Sequence, residues 1–114
     1  MVHYEDLPPA ELAPGSMSHL VVGEQAMVSF LTIPVNTKIP VHRHEAEQVM
    51  IVLEGYFDQA IDGKLYRLEK GDVVVLRSNV PDVGEVECRV IDIFAPPRVD
   101  LAAKAREAYD KMGR

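Results

Sequence analysis

The sequence predicts an all-β domain, either a β-sandwich or an antiparallel β-barrel, with an N-terminal arm and one short C-terminal helix. Two observations carry this prediction. Between residues 20 and 95, strand-length segments rich in Val, Ile, Leu, Phe and Tyr alternate with short turn signals, as expected for antiparallel strands. After residue 98, apolar residues recur at the three- and four-residue spacing of an amphipathic helix.

Seven segments are predicted to be strands, and turn residues separate them. The sharpest turn signal is Asp62-Gly63, which lies directly between two of these segments. Because a two-residue type I′ turn needs positive φ at both central positions, this pair predicts a tight hairpin. The predicted strands are residues 20–22, 26–33, 48–53, 56–61, 64–68, 72–76 and 87–94.

The two ends of the chain differ from the middle. Residues 1–19 contain three prolines and a glycine, which predict an arm laid over the core. Asp100 is expected to cap a helix over residues 98–112, whose apolar stripe runs from Leu101 to Met112. We expect this helix to pack on the outside of the sheet.

Composition and charge narrow the function classes. The chain has 114 residues, 47% of them apolar, which suffices for one core without disulfides, and Cys88 has no second cysteine to pair with. A net charge of −6 disfavours nucleic acid and anionic lipid as partners. The longest apolar run, from Val49 to Leu53, is far shorter than the roughly 20 residues that span a bilayer, and the start does not read as a signal peptide. We therefore expect a cytoplasmic protein with no membrane partner.

The candidate metal ligands lie close together in the sequence. His42 and His44 are two residues apart, so an extended strand would place both imidazoles on one face. Gln48 follows at the start of an apolar run and could bring an amide oxygen to the same point. Such a set suits Fe, Mn, Ni, Co or Zn. The alternative interpretation, favoured for an isolated pair of this kind, is two solvated histidines in a polar loop.

The wider pattern from Pro40 to Gly55 resembles the first motif of the cupin superfamily, in which His42, His44, Gln48 and Gly55 take the motif positions. A second cupin motif is matched by the stretch 71–82, from Gly71-Asp72 to Pro81-Asp82. The resemblance implies a small antiparallel jelly-roll barrel with a metal inside, often dimeric. The resemblance covers roughly residues 20–95, and we predict a single cupin domain, 1–114, made of an arm (1–19), a barrel (20–95) and a helix (98–112).

A narrower resemblance is carried by H-x-H-x-x-E-Q together with I-D-I-F-A-P-P-R-V-D-L at residues 91–101. This combination is similar to the uronate-linearising cupins, the KdgF family. The resemblance implies that Asp92 is the catalytic acid and base, that Phe94 shapes the pocket and that Arg98 holds the substrate carboxylate. Asp92 and Phe94 also alternate along a predicted strand and therefore share a face. The same resemblance makes His42, His44 and Gln48 metal ligands.

The chain departs from this pattern at Asp82. Cupins of this kind carry their last histidine ligand at this position, after Val80-Pro81. Asp82 could replace it as an oxygen ligand, or it could be a turn residue, since Asp after Pro in a loop is common turn chemistry. In the second case the metal site would be weaker and degenerate.

Three function classes follow. We favour a metal-dependent isomerase or lyase of carbohydrate metabolism that converts a small carboxylated sugar or keto acid by metal-assisted proton transfer. The alternatives are an Fe-dependent cupin dioxygenase and a non-catalytic module that binds or senses a small molecule. We expect a homodimer, because a small barrel leaves sheet edges that a partner's arm can cover.

Overall fold

The structure is a computed structural model that describes residues 1–37, 42–61, 63–79, 81–82 and 87–112. For residues 42–45, 77–79, 81–82 and 112 the description covers the backbone alone.

Strands dominate this part of the chain, as the sequence predicts. After a 3₁₀ turn at Tyr4–Asp6, the chain runs through nine strands and ends in one helix. The strands are β1 (Ala10–Ala13), β2 (Ser16–Val22), β3 (Met27–Ile33), β4 (His42–Glu54), β5 (Tyr56–Ile61), β6 (Lys64–Glu69), β7 (Val73–Asn79), β8 (Pro81–Asp82) and β9 (Cys88–Ala95), and the helix is α1 (Val99–Met112).

The strands form two antiparallel sheets of a jelly-roll barrel. The larger sheet has the order β1-β2-β3-β9-β4-β7, and the smaller sheet has the order β6-β5-β8. The last strand, β9, therefore lies between β3 and β4, in the middle of the larger sheet. The predicted antiparallel barrel is confirmed.

Burial alternates along the central strands of the larger sheet and shows which face is internal. In β3 and β9 every second residue is buried, from Met27 to Ile33 and from Cys88 to Phe94. The buried residues form two apolar clusters, one around Met50, Val52 and Phe57 and the other around Leu20 and Phe94. Polar side chains are buried on the same internal faces, namely Ser16, Ser18, Ser29, Gln48, Gln59 and Asp92.

The predicted arm is shorter than we expected. Residues 10–13 and 16–19, which we assigned to the arm, belong to β1 and β2 of the larger sheet. Pro14-Gly15 forms the turn between these strands, so the two residues connect regular elements instead of ending them. Only residues 1–9 precede the first strand.

The helix lies on a different face from the one expected. The buried side chains Leu101 and Ala105 pack with Leu20, Met27 and Phe94, which lie on the internal face of the larger sheet. The helix therefore covers one end of the barrel interior instead of the outside of the sheet. An amphipathic pattern predicts a buried stripe, but it does not say which face of which sheet receives it.

The turn between β5 and β6 matches the sequence closely. β5 and β6 pair from Tyr56 with Glu69 to Ile61 with Lys64, which leaves the two-residue loop that Asp62-Gly63 predicts. Gly63 has a φ of 78°, as such a turn requires, while Asp62 lies outside the described residues.

In the part of the chain that the structure describes, no helix has the length and apolar character needed to cross a membrane.

Candidate functional site

The candidate site is centred on Asp92, a carboxylate on the internal face of β9. Its register partners are Ser29 on β3 and Met50 on β4, and its side chain is 5% exposed. The amide nitrogen Nε2 of Gln48 donates a hydrogen bond of 2.9 Å to Oδ1 of Asp92. Within the described residues, the carboxylate is therefore enclosed by the sheet and held by the neutral amide of Gln48.

This environment changes the acidity of Asp92. Burial raises the pKa of Asp92 from 3.8 to about 6, because a charged carboxylate is poorly solvated inside the barrel. The hydrogen bond from Gln48 and the positive charge of Arg98 act in the opposite direction, and both are weaker than the effect of burial. Near neutral pH, both the protonated and the ionised forms of Asp92 are therefore accessible.

Phe94 and Arg98 lie where the chain leaves β9 for the helix. Phe94 is buried two residues after Asp92 on the same face, which confirms the predicted alternation. The guanidinium carbon of Arg98 lies 5.2 Å from the centre of the Phe94 ring, a cation–π distance. Nη2 of Arg98 donates a 2.8 Å hydrogen bond to Asp100, and the Arg98 side chain is only 13% exposed.

Asp100 has a different position from the one expected. The helix begins at Val99, so Asp100 lies in the first helical turn and not at the cap. Its carboxylate accepts the hydrogen bond from Arg98, which together with the charge of Arg98 helps to hold the pKa of Asp100 below its ordinary value despite partial burial. The carboxylate thus restrains the guanidinium in addition to favouring the helix N-terminus.

The candidate metal ligands lie on two strands, β4 and β8. His42, His44 and Gln48 all belong to β4, and His42 pairs with Asn79 of β7. The β4–β7 register shifts between Arg43 and Gln48, so the strand is irregular between the histidines and the glutamine. The side chains of both histidines lie outside the described residues, so their role as ligands stays a prediction.

Asp82 lies in the short strand β8, whose backbone pairs with Asp58 and Gln59 of β5. Its side chain is outside the described part of the chain, and both interpretations of Asp82 stay open. Among the side chains that the structure describes, no group of three or more His, Cys, Asp or Glu is gathered as a metal site. By its chemistry, a set of two imidazoles, an amide oxygen and a carboxylate suits a divalent transition metal. Because the amide nitrogen of Gln48 binds Asp92, its oxygen is the atom suited to a metal.

Sequence reasoning overlooked the other buried polar residues. Ser18 and Ser29 form a hydroxyl pair 2.5 Å apart beneath the sheet, and Gln59 is fully buried on β5. A signal was present, because each of these residues occurs in phase with buried apolar neighbours, as Gln59 does two residues after Phe57. A polar residue at an internal position of a strand is a reason to look for a site.

Comparisons with known proteins agree with this architecture. The family model of the Cupin domain matches residues 29–94, more than half of the chain. Among curated proteins, no sequence matches this chain.

Among solved structures, KdgF from Halomonas sp. is similar, with a TM-score of 0.78, 23% identity and coverage of 87% of this chain and 94% of the other. An RmlC-like cupin from Shewanella frigidimarina has a TM-score of 0.80 at 23% identity, covering 89% of this chain and 94% of that one. Ectoine synthase from P. lautus has a TM-score of 0.77 at 16% identity, with coverage of 95% and 86%. These likenesses establish the shared fold.

Proposed function

The chain belongs to the cupin family, and from this premise we propose that it is an enzyme that converts a small carboxylated sugar or keto acid by proton transfer, of the kind that linearises unsaturated uronates. The observation that carries the proposal is the internal Asp92, held by Gln48 and close to the Arg98 cation. The resemblance of residues 91–101 to the KdgF family supports the substrate class.

Asp92 has the properties of an acid and base catalyst. A group that takes and returns a proton works best when its pKa lies near the working pH, and that of Asp92 is raised to about 6. The hydrogen bond from Gln48 fixes Oδ1, so the second oxygen, Oδ2, is the atom we assign to proton transfer. At neutral pH the ionised form predominates, and Asp92 would first act as a base at the carbon next to the substrate carbonyl or hydroxyl.

Arg98 and Phe94 supply the substrate-binding features. A guanidinium presents parallel N–H groups that match the two oxygens of a carboxylate. Asp100 and the Phe94 ring restrain Arg98, so little side-chain freedom remains to be lost when a substrate binds. Phe94 adds an apolar wall on the face that carries Asp92.

We assign four residues as ligands of a divalent metal, namely His42, His44, Gln48 and Asp82. A bound Ni, Zn, Mn, Fe or Co ion would supply the Lewis acidity that polarises a substrate oxygen. Gln48 then has two tasks, because its oxygen would bind the metal while its nitrogen holds Asp92. We propose that the protein acts in carbohydrate metabolism in the cytoplasm.

The test is turnover of unsaturated uronates, followed by the loss of their conjugated absorbance and by proton NMR of the products. We expect Asp92→Asn to lower kcat on the order of a hundredfold or more, because the proton acceptor is lost. We expect Arg98→Lys to raise KM about tenfold, because the forked contact is lost. Matched controls are Asp110→Asn and Arg106→Lys, which change exposed positions of the helix.

Three outcomes would contradict the proposal. Full activity of Asp92→Asn would exclude Asp92 as the acid and base. Oxygen uptake that requires Fe(II) would identify a dioxygenase instead. Tight binding of a carboxylated ligand without turnover, in protein with no bound metal, would indicate a sensing module.

A further inference from the structure

A buried amide on the smaller sheet is not used by the mechanism above. Gln59 lies at an internal position of β5, two residues after the core residue Phe57, and its side chain is 0% exposed. Its nitrogen Nε2 donates a 3.3 Å hydrogen bond to the backbone oxygen of Ala60. Its oxygen Oε1 is buried and has no hydrogen-bond partner in the part of the chain that the structure describes. The donor to Ala60 fixes which end of the amide carries the oxygen.

Strand pairing places Gln59 at the same end of the barrel as the cupin motif. Gln59 pairs with Pro81 of β8. Pro81 lies two residues after Asn79, and Asn79 pairs with His42 at the start of β4. Gln59 and the candidate ligand His42 are therefore connected through β8 and β7: Gln59 pairs with Pro81, and Asn79, two residues before Pro81, pairs with His42.

An unpartnered amide oxygen is an unfavourable choice for a core position. A buried acceptor without a donor destabilises the folded state, and a Met or Leu of similar size would avoid this loss. The position is otherwise suited to an apolar side chain, since Phe57 on the same face joins the core. Buried acceptors of this kind are satisfied by a water molecule or by a ligand that brings its own donor.

We propose that Gln59 is a ligand-binding residue whose Oε1 accepts a hydrogen bond from a hydroxyl group of the small molecule held in the barrel. This rests on the proposed function for the site and narrows its substrate class to hydroxylated acids such as hexuronates. Gln59 selects for a hydroxyl at one position of the ligand, because a deoxy analogue leaves the amide oxygen unsatisfied.

The first test needs no ligand. Gln59→Met keeps the side-chain volume and removes the unpartnered oxygen, so we expect the melting temperature of the purified protein to rise by about 4 °C or more. Gln25→Met, at an exposed loop position, is the matched control and should leave the melting temperature unchanged. A lower melting temperature for Gln59→Met would overturn the proposal, because the amide would then stabilise the protein itself.

The second test measures affinity for galacturonate and its monodeoxy derivatives by calorimetry. We expect Gln59→Met to weaken galacturonate binding about three- to tenfold, the range of one neutral hydrogen bond. The monodeoxy derivative that lacks the hydroxyl bound by Gln59 should bind the wild type and Gln59→Met with equal affinity. Equal affinity of galacturonate for both proteins, or no binding of any hydroxylated probe to the wild type, would overturn the proposal. Binding that depends on Gln59 without turnover of any uronate would overturn the proposed function alone.

Discussion

Asp92 illustrates how one residue can link stability to chemistry. A carboxylate is rarely buried without a strong partner, and the donor that the structure gives Asp92 is the neutral amide of Gln48. Burial outweighs both favourable contacts, so the pKa of Asp92 is raised. The fold therefore tolerates an unfavourable charge at the position where a proton acceptor is useful.

This balance predicts a pH-dependent stability. Between pH 4 and pH 6 the folded state binds more protons at Asp92 than the unfolded state, because the folded pKa is about 6 and the unfolded value is 3.8. The contribution of Asp92 to the free energy of unfolding is therefore lost as the pH rises through this window, by about 3 kcal/mol in total. The Asp92→Asn variant has no titratable group at this position, so its free energy of unfolding should not show this decrease. Urea unfolding of metal-free protein at several pH values measures the difference between the two proteins, and a constant difference would show that Asp92 has an ordinary pKa.

At the scale of elements, the turn between β4 and β5 lies close against the backbone that precedes β9. Gly55 has a φ of 75°, and a Cβ atom built on it would lie 2.3 Å from the backbone oxygen of Glu87. No side chain fits there without moving the backbone. This close approach holds the start of β5 against the residue that precedes β9.

We predict that Gly55→Ala destabilises the protein by about 3 kcal/mol or more, because strain at positive φ and a backbone clash act together. Gly63→Ala is the matched control. Gly63 has a similar φ of 78° but nothing within 4 Å of its Cβ position, so we expect a loss of only about 1 kcal/mol. Chemical denaturation measures both. If both variants lose the same free energy of unfolding, the backbone near Glu87 must move aside at little cost.

The helix contributes to the stability of the folded protein through a narrow stripe of buried side chains. Leu101 and Ala105 are 6% and 2% exposed, and Tyr109 donates a hydrogen bond to the backbone oxygen of Leu20. We predict that Leu101→Ala destabilises the protein by about 2–4 kcal/mol, because it leaves a cavity over the internal face. Arg106→Ala, on the exposed side, should change stability by less than about 0.5 kcal/mol. Equal effects in thermal unfolding would show that the helix is not packed on the barrel.

For the whole molecule, a metal that binds only the folded state must raise its stability. At a free metal concentration about 100 times the dissociation constant, the gain is about 2.7 kcal/mol. We expect Ni or Zn to raise the melting temperature of the wild type and to leave that of the double variant His42→Ala, His44→Ala unchanged. His3→Ala, at an exposed residue that contacts Glu5 and Tyr4, is the matched control and should respond like the wild type.

The same measurement decides the role of Asp82. If Asp82 is a ligand, Asp82→Ala should weaken the metal response by at least about tenfold in affinity, and Asp82→His should restore it. If neither change alters the response, Asp82 is not a ligand. If Ni or Zn still raises the melting temperature of the double variant His42→Ala, His44→Ala, the assigned metal site is wrong.

Properties within one element could be predicted from the sequence. The bounds of β5, the β5–β6 loop and the shared face of Asp92 and Phe94 follow from alternation and turn residues alone. The choice of a cupin barrel over a β-sandwich came from the resemblance of residues 40–55 and 71–82 to the two cupin motifs. The strands β1 and β8 were missed, because one lies among prolines and the other is only two residues long.

Contacts between distant segments were decided only by the tertiary structure. Gln48 and Asp92 are 44 residues apart, and they meet because β9 inserts between β3 and β4. The face that receives the helix and the unpartnered oxygen of Gln59 depend on the same strand order. The sequence by itself determined the periodicity of each strand, and with it which residues share a face, because side chains alternate locally along the backbone. Which faces meet depends on the non-local pairing of strands, and that pairing sets the burial that makes Asp92 a weaker acid.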